Sequence, residues 1–121
     1  MTHLFAILGL TVTIALPAFA EEFSQVRDKD QFVSIVEGRD LRIGIYNLTL
    51  NLLPDGQIKG KALGWAITGV WDWQDGYFCR QMDWSGMEIP YNCQLVEARG
   101  ASTLRFTEDK GEGDSASFRV R

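Results

Sequence analysis

The sequence predicts a mainly β protein: a single small antiparallel β-barrel or sandwich, a meander of seven or eight strands, with one short N-terminal helix and one disulfide-stapled hairpin. Three observations carry this expectation. Beyond Gly38 the apolar residues recur with period two rather than 3.6. Turn signals separate these runs at short, nearly regular intervals, the spacing of sandwiches and barrels. The two cysteines, Cys79 and Cys93, fall in neighbouring strand-like runs.

The helix is expected over 28–37. Asp28 caps it and Gln31 follows three residues later, as in a capping box. Phe32, Ile35 and Val36 share a face, and Gly38 supplies the stop. Leu41, Ile43 and Ile45 then alternate with Arg42, Gly44 and Tyr46. Leu48, Leu50 and Leu52 continue on the other parity, so a turn or bulge is expected near Tyr46-Asn47. Pro54-Asp55-Gly56 turns the chain. Strands follow at 57–63 and 64–73, and Gln74-Asp75-Gly76 is the next turn. Strands at 77–82 and 89–97 form a hairpin with its loop around Asp83-Trp84-Ser85-Gly86. Pairing Cys79 with Cys93 sets Met82 near Pro90. After Arg99-Gly100 come strands at 103–106 and 116–121, joined by the glycine-rich segment 109–114. Asn47-Leu48-Thr49 matches a glycosylation sequon, a motif too short to carry weight.

Residues 1–20 are expected to be a cleaved signal peptide, and 21–121 a single β-rich domain. Leu4 to Leu16 is an apolar run, shorter than the roughly 20 residues of a membrane span. Pro17 and Ala18-Phe19-Ala20 complete a cleavage pattern. Periplasmic localisation follows, with no membrane span after cleavage. An exported chain with two cysteines predicts a Cys79–Cys93 disulfide. Of 121 residues, 12 are basic and 16 acidic, a net charge of −4 that argues against a nucleic-acid partner. The single histidine, His3, leaves with the signal. Without imidazole there is no Ser-His-Asp or Cys-His catalysis and no His-ligated metal.

The candidate ligand-binding residues are Trp65, Trp71, Trp73, Arg80 and Trp84. Trp65, Ile67, Gly69, Trp71 and Trp73 share one strand parity. They line either a packed core, the favoured reading for a small domain, or an aromatic pocket. Arg80 suits an anionic ligand, or an ion pair with Asp75. The acidic residues at 109–114 suit calcium only weakly, lacking an EF-hand loop, and a solvated hairpin loop is favoured. No catalytic residue, metal ligand or cofactor is expected.

The run Gly69-Val-Trp-Asp-Trp-Gln-Asp-Gly-Tyr-Phe-Cys-Arg80 is distinctive. With Asn92-Cys-Gln94, Leu104-Arg-Phe-Thr-Glu-Asp109, Gly111 and Gly113, it resembles a family of small exported proteins of Gram-negative bacteria with no established function. Some members carry the label dihydrodipicolinate reductase, which implies a nicotinamide cofactor on a Rossmann domain. This chain has no G-x-G-x-x-G and no βαβ pattern, and the catalytic histidine of that enzyme class has no counterpart after residue 20. The expectation is therefore an exported periplasmic binding or interaction module for an unknown small ligand or envelope protein. The alternative is an enzyme.

Overall fold

The computed structural model describes residue 2, residues 6–14 and residues 22–121. Residues 6–14 form neither helix nor strand, and Ile7, Leu8 and Leu10 stand exposed. The expected cleavage site at Ala18-Phe19-Ala20 lies outside the described residues.

The elements are β1 (Ser24–Gln25), α1 (Lys29–Val36), β2 (Leu41–Ile43), β3 (Leu48–Leu52), β4 (Gln57–Ala62), β5 (Trp65–Gln74), β6 (Tyr77–Trp84), β7 (Met87–Arg99), β8 (Thr103–Thr107) and β9 (Ser115–Val120). Strands β2 to β9 form an antiparallel meander in chain order. The last returns to the first, with Leu41 opposite Val120 and Arg42 opposite Arg119. The sheet is thus an eight-stranded barrel, which settles the choice between barrel and sandwich. β1 is an extra strand on β7, with Ser24 opposite Ala98. Closure leaves no exposed sheet edge around the ring.

The helix starts where its capping residues dictate. The Asp28 carboxylate accepts the Gln31 backbone N–H at 2.8 Å, and the Gln31 side chain accepts the Arg27 N–H at 3.1 Å. Phe32 and Val36 are fully buried. The Phe32 ring lies 5.4 Å from Trp71, 5.1 Å from Trp73 and 5.3 Å from Phe78 between centroids. α1 therefore plugs one end of the barrel with an aromatic cluster, which Phe106 and Phe118 extend.

Three hairpins turn on two residues: Leu63-Gly64, Asp75-Gly76 and Ser85-Gly86. Both residues of each have positive φ, the mirror-image turn whose twist matches the strands. The third is tighter than the expected loop at Asp83–Gly86, because β6 runs through Trp84. The Trp84 indole N–H donates to the Ala62 carbonyl at 3.1 Å and anchors that end to β4. A bulge between Arg80 and Met82 also moves Met82 opposite Ile89 instead of Pro90. Pro90 has no N–H to give the ladder, and a bulge is where a strand tolerates it. Near Tyr46-Asn47 the irregularity is a 3-10 turn at Gly44–Tyr46, ended by Asn47 at φ 44°.

Cys79 and Cys93 face each other across β6 and β7 and form the expected disulfide. The outer face carries Arg42, Thr49, Asn51, Lys59, Lys61 and Asp72, while the interior is apolar apart from Arg80 and Gln94. That polarity is the reverse of a membrane-spanning barrel.

Phe32→Ala is expected to lower unfolding free energy by about 3–5 kcal/mol in urea titration. Replacing both cysteines by serine is expected to cost about 3 kcal/mol on a loop of this length. A Phe32→Ala loss under about 1 kcal/mol would show that α1 does not hold this end of the barrel closed.

Candidate functional site

The barrel end opposite α1 carries the connections 44–47, 63–64, 85–86 and 108–114. A cavity of about 170 Å³ lies inside the barrel and reaches the exposed residues Asp114 and Ser115 at this end. Leu41, Leu50, Leu52 and Ile58 form one wall. Phe106 and Phe118 form another, and Met82 reaches in from β6. A dry cavity of about 150 Å³ holds a benzene ring. The space here is of similar size.

Gly69 is needed to shape this interior. A side chain there would collide with the Gln81 carbonyl and with Met82, which lies across it. The small residue in the middle of β5 therefore admits Met82 to the cavity wall.

Two polar side chains sit among these apolar walls. Strand alternation puts them there: Cys79 and Cys93 lie on the outer face, so their neighbours Arg80 and Gln94 point inward. Arg80 is 7% exposed and Gln94 6%. Arg80 Nη1 donates to the Pro90 carbonyl at 2.6 Å. Its Nη2 lies 4.0 Å from Glu108 Oε1, beyond hydrogen-bond length, and the Glu108 side chain is 48% exposed. Burial pushes the Arg80 pKa down from its ordinary value, and the Glu108 charge opposes that shift. A guanidinium starts so high that it stays charged. It has five N–H groups, and among the described residues one carbonyl takes one of them.

The β8–β9 connection is held beside this site. Asn92 Nδ2 donates to Asp109 Oδ1 at 2.8 Å, and the Asp109 N–H donates back to Asn92 Oδ1 at 3.0 Å. Gly111 lies against Leu95 on the outer face of β7. Asp109 and Lys110 both adopt positive φ, at 54° and 55°, which costs non-glycine residues about 1 kcal/mol or more each. The paired Asn92 bonds offset part of that strain. Among the described residues no three acidic, cysteine or histidine side chains gather to hold a metal.

The tryptophans stand elsewhere. Trp71 is buried under α1, its indole N–H donating to the Leu53 carbonyl at 2.9 Å. Trp73 packs on Phe32, and its buried Nε1 has no hydrogen-bond partner among the described residues. Trp84 is half-buried beside Ala62. Trp65 is exposed at the open rim. None of the four lines the cavity, whereas Arg80 does. Arg80 does not pair with Asp75. The turn places Asp75 outside on the plugged end, while Arg80 follows its cross-strand partner Trp71 inward.

Gln94 and Glu108 escaped the sequence reading. The signal for Gln94 was available, since an outward Cys93 forces residue 94 inward. Glu108 continues the inward parity of Leu104 and Phe106 one step past the end of β8. The segments 69–80, 92–94 and 104–109 meet here, through Arg80, Gln94, Phe106 and Glu108. No family model matches the chain, and neither a curated protein nor a solved structure is significantly similar to it.

Asn92→Ala is expected to cost about 1–2 kcal/mol and to speed amide hydrogen exchange across 108–114. Unchanged exchange there would mean that Asn92 does not hold the connection in place.

Proposed function

We propose that the protein is an exported periplasmic binding module whose barrel takes a small, mostly apolar ligand. One observation carries the reading: the plugged barrel keeps an apolar cavity at its other end, wide enough for a small organic molecule. Small-molecule sites combine apolar walls with a few placed polar groups, and this cavity has that composition. An eight-stranded barrel is the size at which the interior is either filled or holds one small ligand. Here α1 and the aromatic cluster fill one half and leave the other open. The disulfide suits an oxidising compartment, which supports export.

The test is methyl NMR with hexanol as the probe. Titration is expected to shift the methyl signals of Leu50, Leu52, Ile58 and Met82 and leave those of Val26 and Val36 under the plug unmoved. Ala116→Phe, at the exposed mouth, is expected to abolish the shifts while leaving the melting temperature within a few degrees of wild type. Cavity methyls that stay unmoved at saturating hexanol would contradict the proposal.

A further inference from the structure

We infer that the ligand is a small monocarboxylic acid and that Arg80, assisted by Gln94, is the group that recognises it. This rests on the binding reading above and adds the charge and size of the ligand.

Arg80 places a charge among apolar walls. A guanidinium inside an apolar barrel is costly unless hydrogen bonds and a counter-charge compensate it. Met or Leu would fill the same volume without that cost. Arg80 is 7% exposed, yet the protein gives it one neutral carbonyl, at Pro90. Its nearest carboxylate, Glu108, stops at 4.0 Å. The remaining N–H groups belong to a planar fork whose geometry matches the two oxygens of a carboxylate. The fork lines the cavity, and Gln94 lines it too with a side-chain amide able to donate one further hydrogen bond.

Glu108 and Asp114 set the limit on charge. Both line the cavity at its mouth, and both are exposed. Glu108 is nearly half in water already, so it swings to solvent at little cost when a ligand oxygen replaces it. The pair still repels a second negative charge. A single carboxylate is therefore admitted and a phosphate dianion disfavoured. The volume of about 170 Å³ sets the rest of the molecule as one ring or a chain of a few carbons. Its body meets Leu50, Leu52, Ile58 and Phe118, and its head meets Arg80.

The experiment compares hexanoate, hexanol and hexylamine by calorimetric or NMR titration, with inorganic phosphate as a fourth probe. In wild type, hexanoate is expected to bind at least about tenfold more tightly than hexanol, the scale of a charge-assisted bidentate contact. Phosphate is expected not to bind. Arg80→Met is expected to erase the hexanoate advantage and keep hexanol binding. Arg80→Lys, a point charge without the fork, is expected to retain only part of it. Glu108→Gln is expected to tighten hexanoate severalfold, because it removes the competing carboxylate. Equal binding of hexanoate and hexanol, or a hexanoate advantage that survives Arg80→Met, overturns the carboxylate assignment and leaves the binding reading standing. A preference for hexylamine overturns it in favour of a cation held by Glu108 and Asp114. Failure of hexanoate, hexanol and hexylamine alike overturns the binding reading itself. Should Arg80→Met not fold, the wild-type comparison and Glu108→Gln still decide the matter.

Discussion

Closure of the sheet between β2 and β9 is the constraint on which the rest of the structure depends. The joint is short. Leu41 and Arg42 face Val120 and Arg119, and Asp40 and Arg121 exchange two backbone hydrogen bonds of 2.9 Å just beyond. Once the ring is closed, alternate residues of all eight strands face one enclosed space, whatever their chemistry. Trp71, Phe78 and Phe106 meet Phe32 of α1 there. Arg80 and Gln94 have no other place to go, because Cys79 and Cys93 hold the outer face of the same two strands.

The interior divides by the size of the side chains that enter it. Under α1, Phe32 sits against Trp71, Trp73 and Phe78, with ring centroids 5.4, 5.1 and 5.3 Å away. Away from the helix, leucines, an isoleucine, a methionine and Ala116 share the walls with Phe106, Phe118, Arg80 and Gln94, and Gly60 and Gly69 carry no side chain. Two sets of side chains on one barrel thus give a dry plug and an open chamber. The β8–β9 connection leaves that chamber open because Asn92 and Asp109 tie it alongside β7, instead of letting it cross the mouth.

What the sequence revealed was local. Asp28 and Gln31 mark the helix because capping acts over three residues. Asp75-Gly76 marks its turn because two positive φ values are needed at adjacent positions. The disulfide was legible from an even cysteine count and an N-terminal segment that reads as a signal peptide. Barrel against sandwich was not, since it turns on residues 41 and 120 meeting, a pairing that no local pattern records. The tryptophans show the same limit. Their shared parity put Trp71 and Trp73 on the inner face, but core or pocket depended on where α1 lands, and Phe32 lands on them. The cavity lies instead beside Arg80, on a wall of ordinary aliphatic residues that composition does not distinguish from core.

Arg80 is a buried guanidinium that the protein leaves mostly unpaired, and a crystal structure of the protein purified from its own cells without refolding is the decisive measurement. Density is expected inside the barrel on the Arg80 fork, either ordered water or a small organic acid, with Glu108 directed toward solvent. A fork–fork pair between Arg80 and Glu108 at about 2.7–2.9 Å, with the chamber closed around it, would show that the guanidinium is already paired by the protein.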